Sequence, residues 1–164
     1  MNIVLIGFMG CGKTTIGRKL AVRLGYRFID TDYQIEKEQG CRVKELFTRY
    51  GETRFRELET NLLKRLINTN NTVISTGGGI LLTPGNMDLI RRIGKSIYLN
   101  ASIEDICERI SRNNKRPLPE ADDLTDGVAA LMDDLVDVYR QADFTVDTRA
   151  LKMGNIVSTI IRGL

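Results

Sequence analysis

Short apolar runs alternate with longer amphipathic stretches along the chain. The apolar runs predict five strands, at residues 2–6, 27–29, 72–75, 95–99 and 144–146. The amphipathic stretches predict a helix over residues 13–24 and a helical region over 33–67, with breaks near Gly40 and Gly51. Further helices are predicted after Pro84, from an N-cap at Ser102 to about Arg112, before about Ala142, and from Met153 onward.

This alternation of strands and helices is typical of an α/β fold with a parallel sheet between helical layers. The chain has 164 residues, the length of one domain, and contains no internal repeat or linker. We therefore expect a single domain over residues 1–164, with a central five-stranded parallel sheet flanked by helices. Ligands of such folds bind beyond the carboxyl ends of the strands, so functional residues are expected there.

The composition narrows the possible partners. Hydrophobic residues make up 42%, charged residues 27%, and the net charge is +3. This charge is too small and too scattered to indicate nucleic acid, and no apolar run is long enough to cross a membrane. No secretory signal is apparent at the N-terminus. We therefore expect a cytoplasmic protein, monomeric, with small-molecule substrates and no nucleic-acid or membrane partner.

Histidine is absent from the sequence. A Ser-His or Cys-His nucleophile pair and a histidine-rich metal site are therefore excluded. Proton abstraction near neutral pH must fall to Asp, Glu, Lys, Tyr or Cys. The cysteines Cys11, Cys41 and Cys107 show no metal-like spacing and are expected to be reduced thiols.

Residues 7–14, Gly-Phe-Met-Gly-Cys-Gly-Lys-Thr, match the phosphate-binding P-loop pattern between a predicted strand and a predicted helix. The glycines let backbone N–H groups surround phosphate oxygens, and the helix dipole favours the same anions. Lys13 is expected to reach the β- and γ-phosphates and Thr14 to ligate Mg²⁺. The expected ATP-binding residues of this loop are Gly10, Cys11, Gly12, Lys13, Thr14 and Thr15.

Two aspartates, Asp30 and Asp32, follow the second predicted strand. If the segment is extended, alternate side chains point the same way, and the two carboxylates lie about 7 Å apart. One could hold Mg²⁺ while the other takes a proton from a substrate hydroxyl. The alternative is that one of the two, Asp32 for example, only caps a helix beginning near Tyr33. No acidic residue follows the third strand, where many P-loop proteins carry a metal-binding aspartate.

The remaining motifs resemble those of the shikimate kinase family. They are Asp30-x-Asp32, the stretch from Gly40 to Glu59 with its Phe55-Arg56-x-x-Glu59, the triplet Gly77-Gly78-Gly79, Arg116-Pro117-Leu118, and Tyr139-Arg140. They occur in the family's order and separations over nearly the whole chain. The resemblance implies a P-loop fold with a substrate-binding helical region at about 33–60 and a mobile lid at about 113–126.

The resemblance also implies an acceptor site. Arg56 and Arg140 would clamp the acceptor carboxylate with paired hydrogen bonds, and Glu52 or Glu59 could orient Arg56. The glycines Gly77, Gly78 and Gly79 would let the backbone approach the acceptor and donate N–H groups to it. Phe47 and Phe55 would wall its ring, although core packing explains them nearly as well.

The lid would supply Arg116 to the transferring phosphoryl group while excluding water. Arg109 and Arg112 are both candidates for stacking on adenine, and the sequence does not choose between them. The lid reads Arg-Pro-Leu-Pro, and Pro119 departs from the family pattern and could stiffen it.

The resemblance implies transfer of the ATP γ-phosphoryl group to the 3-hydroxyl of shikimate, and it makes Asp30 the better magnesium candidate. The predicted roles are Asp32 as base, Lys13 and Arg116 as catalytic cations, and Thr14 with Asp30 as the residues that hold Mg²⁺. One alternative is another small-molecule kinase, such as a gluconate or nucleoside monophosphate kinase. A second alternative is a nucleotide-binding regulatory module without acceptor chemistry. The presence of Lys13, Asp32 and Arg116 makes this less favoured, because a module that only senses nucleotide needs neither a base nor a lid arginine.

Overall fold

Five parallel strands form one sheet in the computed structural model, which describes residues 1–112, 124–149 and 151–164. The strands are β1 (Ile3–Ile6), β2 (Arg27–Asp30), β3 (Thr72–Ser75), β4 (Lys95–Asn100) and β5 (Phe144–Asp147). Their order across the sheet is β2-β3-β1-β4-β5, and every neighbouring pair is parallel. The predicted parallel α/β sheet is confirmed.

Seven helices connect and flank these strands within the described residues. They are α1 (Lys13–Leu24), α2 (Thr31–Gln39), α3 (Val43–Leu66), α4 (Asn86–Ile93), α5 (Ile103–Arg112), α6 (Leu124–Tyr139) and α7 (Met153–Gly163), with one 3₁₀ turn at Ile80–Leu82. The helix α1 packs on β2, β3 and α7, whereas α4 packs on β1 and β4.

The predicted breaks in the long helical region lie at its two glycines. The helix α2 ends at Gly40, whose φ of 72° is left-handed, and α3 is kinked at Gly51, whose φ is 81°. Glycine adopts these angles without the steric strain that a side chain would add. The kink separates the part of α3 bearing Phe47 from the part bearing Phe55 and Arg56.

The core is centred on the inner strands of the sheet. All four residues of β1 are fully buried, and β3 is buried along its whole length. The edge strand β2 is partly exposed. A parallel strand covered on both faces is typically a continuous apolar run, and β1 is one; in β3 the apolar pair Val73 and Ile74 lies between the buried polar residues Thr72 and Ser75.

The strands lie on both sides of β1, with β2 and β3 on one side and β4 and β5 on the other, so the order in which strands are added to the sheet reverses at β1. This strand pairs with β3 on one side and with β4 on the other. The loops after β1 and its neighbours therefore diverge at the carboxyl edge and leave a crevice there, which is where ligands bind in open α/β sheets. Within the described part of the chain, no helix has the length and apolar character needed to cross a membrane.

Candidate active site

The P-loop connects β1 to α1 and is shaped by glycines. Gly10 and Gly12 have φ of 77° and 93°, in the left-handed region that other residues rarely adopt. A side chain at Gly10 would also lie 3.2 Å from the carbonyl oxygen of Ile106. Gly12 directly precedes α1, so the unpaired N–H groups of the first helical turn face the loop.

Lys13 is buried at the start of α1. Its Nζ donates to the carbonyl oxygens of Gly7 and Phe8, at 2.7 and 2.9 Å, and lies 3.6 Å from Cys11 Sγ. The ammonium is therefore held against the loop by the loop's own backbone. Cys11 is itself buried, with its sulfur directed at Gly7.

Asp30 links the two helices that begin at this edge of the sheet. Its Oδ2 accepts from the Thr14 hydroxyl at 2.7 Å, and its Oδ1 accepts from the Tyr33 N–H at 3.1 Å. Asp30 is thus the N-cap of α2, which begins at Thr31.

One sequence expectation about this pair is wrong: Asp32 lies in the first turn of α2 rather than on an extended segment. The alternative that one of the two aspartates caps the helix holds for Asp30. The capping geometry of Asp30 starts the helix two residues earlier than predicted. The two carboxylates nevertheless line the same cavity, so the change in local structure leaves them at one site.

A cavity of about 850 Å³ opens beside the P-loop. This volume lies within the range of small-molecule sites. Its lining includes the predicted ATP-site residues Gly10, Gly12, Lys13, Thr14, Thr15 and Arg109, the aspartates Asp30 and Asp32, and the glycines Gly77 and Gly78. The structure therefore brings together the phosphate loop, the aspartate pair and the start of the glycine triplet.

The Thr14 hydroxyl and the Asp30 carboxylate fit a hard divalent cation. Both are oxygen donors, which Mg²⁺ prefers, and they are 2.7 Å apart. Among the described residues no group of three or more His, Cys, Asp or Glu side chains could hold a metal by itself. An ion at this position would therefore complete its coordination from nucleotide phosphates and water, as Mg²⁺ commonly does.

The glycine segment (residues 77–79) is fixed from several sides. The Gly77 N–H donates to the Thr31 hydroxyl at 3.0 Å, and the carbonyl oxygen of Gly78 accepts from the Tyr139 hydroxyl. A side chain at Gly78 would lie 2.7 Å from the Met9 nitrogen of the P-loop. The need for glycine at this position thus arises from contact with the protein itself, a reason that the sequence alone did not indicate.

Arg56 projects from α3 toward Gly79. Its Nη1 donates to buried Glu59 at 2.6 Å, and its Nε and Nη2 lie 3.4 Å from Glu52. A side chain at Gly79 would lie 2.5 Å from Arg56 Nη2. Both predicted orienting carboxylates therefore contact Arg56, which reaches the far end of the glycine segment.

Phe47 and Phe55 form an aromatic pair beneath this arginine. Their ring centroids are 4.9 Å apart, and the Arg56 guanidinium carbon lies 5.9 Å and 5.5 Å from the two centroids. Phe55 is fully buried, whereas Phe47 is only partly buried. The rings support Arg56, so core packing accounts for at least part of their role.

Arg140 follows the end of α6 and points outward. Its side chain is 70% exposed, and its ion pair is with Asp137 at 3.8 Å. It does not line the cavity that contains Asp32. Burial raises the pKa of the nearby Tyr98 hydroxyl, Cys11 raises it further, and the positive charge of Arg140 opposes both effects. Arg140 is thus near the buried tyrosines, with its side chain largely exposed.

The structure distinguishes the two adenine candidates in part. Arg109 lines the cavity and donates from Nη1 to the Gly10 carbonyl at 3.0 Å. Arg112 ends α5. The lid and its Arg116 and Pro119 lie outside the described residues, apart from the start of α6.

Several residues of the site were missed in the sequence. Tyr33, Glu36, Arg42 and Met153 line the cavity, and Thr31 and Tyr139 hold the glycine segment. Glu36 lies one helical turn after Asp32, and this spacing could have placed it on the same face. The contacts of Thr31 and Tyr139 join residues 46 and 61 positions apart, and no local pattern predicts them.

Comparison with known proteins identifies the family. The family model described as shikimate kinase matches residues 9–164. The chain is 45% identical to the shikimate kinase of Pelotomaculum thermopropionicum, over 99% of this chain and 95% of the relative. It is 42% identical to the shikimate kinase of Geobacter sulfurreducens, over 97% of this chain and 88% of the relative.

Solved structures agree with these relatives. A shikimate kinase from Acinetobacter baumannii, in complex with shikimate, matches with a TM-score of 0.93 and 33% identity, covering 98% of this chain and 90% of that one. A gluconokinase from Sinorhizobium meliloti 1021 matches with a TM-score of 0.62 and 20% identity, over 99% of this chain and 90% of that one, which shows only the shared fold. The sequence matches, their coverage and the solved structures together place this chain in the shikimate kinase family.

Proposed function

We propose that this chain transfers the γ-phosphoryl group of ATP to the 3-hydroxyl of shikimate, giving shikimate 3-phosphate and ADP. The observation that supports this most directly is the single cavity that Lys13, Thr14, Asp32 and Gly78 line together. A phosphate-binding loop and a carboxylate base beside the same space are what phosphoryl transfer to a hydroxyl requires.

At the nucleotide end, the P-loop N–H groups and Lys13 bind the phosphates. The Lys13 ammonium leaves the carbonyls of Gly7 and Phe8 and turns toward the β- and γ-phosphates, a short movement from its present contacts. Arg109 borders the loop at Gly10 and lines the cavity, which supports it as the arginine that stacks on adenine. Cys11 contributes its backbone to the loop, since its side chain is buried.

Thr14 and Asp30 would hold Mg²⁺. Bound there, the ion would neutralise charge on the phosphates during transfer. Asp30 would take part in holding the ion with a carboxylate that also caps α2, since its two oxygens accept from Thr14 and from the Tyr33 N–H.

Asp32 orients the acceptor hydroxyl and removes its proton. Its position in the first turn of α2 keeps its carboxylate in the cavity beside Lys13 and Thr14. The base is therefore on a helix whose start is fixed by Asp30, and this rigidity maintains the geometry that proton transfer needs.

The acceptor lies between the glycine segment and the helical region of residues 33–60. Arg56 binds its carboxylate, Phe47 and Phe55 support that guanidinium, and the missing side chain of Gly79 leaves room for the guanidinium against the glycine segment. Arg140 would complete the clamp by turning inward from its exposed pair with Asp137. Weak surface pairs of this kind offer little resistance to such a movement.

Arg116 would stabilise the transferring phosphoryl group from the lid at 113–126.

We further propose that the chain is one catalytic domain over residues 1–164, works as a cytoplasmic monomer, and has no nucleic-acid or membrane partner. The mild net charge of +3 supports the proposal that it does not bind nucleic acid.

The experiment is an ADP-release assay with Mg-ATP and shikimate, gluconate, quinate or AMP as acceptor. We expect release that depends on shikimate alone, with shikimate 3-phosphate identified by mass. Release with another acceptor would retain the kinase and reject the substrate. ATP binding without release for any of the four would favour a regulatory nucleotide-binding module instead.

A further inference from the structure

Tyr139 connects three parts of the molecule that would bind the two substrates. It is buried at the end of α6, its hydroxyl donates to the carbonyl oxygen of Gly78, and the next residue is Arg140. Gly78 in turn lies against Met9 of the P-loop. One side chain therefore contacts the glycine segment where it borders the phosphate loop, and it also sets the point from which Arg140 departs.

The hydrogen bond from Tyr139 fixes the orientation of one peptide group. The peptide between Gly78 and Gly79 is trans, so its carbonyl oxygen and its N–H point in opposite directions. With the oxygen held by Tyr139, the Gly79 N–H is directed to the other side of the segment. Among the described residues, no hydrogen bond from the Gly79 N–H is found.

Glycines make this orientation dependent on an external contact. A peptide between two glycines rotates more easily than any other, because neither residue has a side chain to restrict its dihedral angles. Gly77 is held by Thr31, and the carbonyl oxygens of Gly77 and Gly79 accept from the N–H groups of Ile80 and Leu82 at 3.2 and 3.0 Å. These bonds hold the flanking peptides and leave the plane of the central Gly78–Gly79 peptide to be set by another contact. The Tyr139 hydroxyl supplies the restraint that the two glycines lack.

The tyrosine itself is held in place by a stacked neighbour. The rings of Tyr139 and Tyr98 are stacked, with centroids 5.0 Å apart and an angle of 21° between their planes. Tyr98 belongs to β4 in the middle of the sheet, and its own hydroxyl bonds Asn100 at 3.3 Å. The two stacked rings therefore connect the Gly78–Gly79 peptide to strand β4 of the sheet.

We infer that Tyr139 is a positioning residue for the acceptor: its hydroxyl holds the Gly78–Gly79 peptide so that the Gly79 N–H faces the acceptor beside Arg56. This inference rests on the proposed function. It assigns Tyr139 no contact with substrate and no part in the chemistry. We expect its effect to fall mainly on the acceptor, because the hydroxyl bonds the carbonyl oxygen of the peptide that carries the Gly79 N–H, whereas Met9 lies on the Cα side of Gly78.

The test compares Tyr139→Phe with Tyr98→Phe in the full-length chain. Both changes remove one buried or half-buried hydroxyl from the same stacked pair, but only Tyr139 bonds the glycine segment. We expect Tyr139→Phe to raise the KM for shikimate about 3- to 10-fold, the effect of one lost hydrogen bond. The KM for ATP should stay within about twofold, and Tyr98→Phe should leave both constants close to those of the parent.

Calorimetric titration with shikimate, at saturating ADP, measures the same effect without turnover. A 3- to 10-fold weaker Kd for Tyr139→Phe supports the inference. An unchanged shikimate constant, equal rises in both KM values, or the same change in Tyr98→Phe would overturn it and leave Tyr139 as a packing residue. If the parent chain does not phosphorylate shikimate at all, the proposed function fails first, and the assay of the parent distinguishes the two failures.

Discussion

Lys13 at the nucleotide end and Arg56 at the acceptor end are the two cations expected to meet the substrates, and they are held by different kinds of partner. Lys13 is fixed by backbone carbonyls of its own loop, whereas Arg56 is fixed by the side chains of Glu59 and Glu52. The backbone geometry that holds Lys13 depends on glycines. The geometry that holds Arg56 depends on which side chains the sequence places nearby.

This difference indicates where substrate specificity can change. A loop that binds through backbone N–H groups recognises phosphate in any protein that has the loop. A clamp built from side chains recognises a particular acceptor, and substitutions around it change the acceptor without disturbing the phosphates.

The largest effect is expected at Asp32, where the two ends meet. Asp32→Asn keeps the shape of the side chain but removes the base, and kcat should fall by about 10²–10⁴. The KM for ATP should change less than about twofold, since the P-loop is untouched. Steady-state kinetics with both substrates varied measures this, and near-normal turnover would reject Asp32 as the base.

A second comparison separates the two arginines of the clamp. Both Arg56→Met and Arg140→Met should raise the KM for shikimate about 10- to 100-fold, as expected for losing a charged hydrogen-bond partner. Only Arg56→Met should also destabilise the fold, by about 3 kcal/mol, because Glu59 is completely buried beside it.

Arg140→Met is the matched control for stability. Its pair with Asp137 is exposed on both sides, so the free energy of unfolding should change by less than about 1 kcal/mol. Urea unfolding of the three proteins gives both values. If Arg140→Met lost as much stability as Arg56→Met, its exposed position would not describe the protein in solution.

The smallest effects are expected at two adjacent glycines, of which Gly78 contacts the nucleotide end of the site and Gly79 the acceptor end. Gly78→Ala places a methyl group 2.7 Å from the Met9 nitrogen, which is backbone of the P-loop, whereas Gly79→Ala places one 2.5 Å from the Arg56 guanidinium. We expect about a tenfold rise in the KM for ATP from the first and in the KM for shikimate from the second, since overpacking of about 1–3 kcal/mol must be relieved locally. Kinetics of the pair measures the separation, and identical profiles would contradict it.

Most of the fold could be predicted because its signals are local. The apolar runs of β1 and β3, the breaks at Gly40 and Gly51, and the cap of α5 at Ser102 are all visible in a few consecutive residues. The P-loop was equally clear, because a strand, a fixed glycine spacing and a helix occur together.

The parts of the site that escaped prediction depend on contacts between distant segments. The start of α2 was misplaced because a carboxylate at the end of β2 could cap a helix or continue the strand, and only the contact with Thr14 shows which oxygen is used. The role of Gly78 needed the position of Met9, and the role of Tyr139 needed the position of Gly78. No single stretch of sequence contains both partners of these contacts.

Asp30 has a consequence for how the two substrates influence each other. Its carboxylate touches Thr14 at the start of α1 and caps α2, and Glu36 of α2 accepts from the Val43 N–H at the start of α3. The nucleotide-binding helix is therefore linked, through two carboxylates in series, to the helix that bears Phe47 and Arg56. Any adjustment at Thr14 that accompanies phosphate or metal binding is passed toward the acceptor helix, so the affinities of the two substrates should be thermodynamically coupled. Such coupling is reciprocal: whatever factor ATP adds to the affinity for shikimate, shikimate must add to the affinity for ATP.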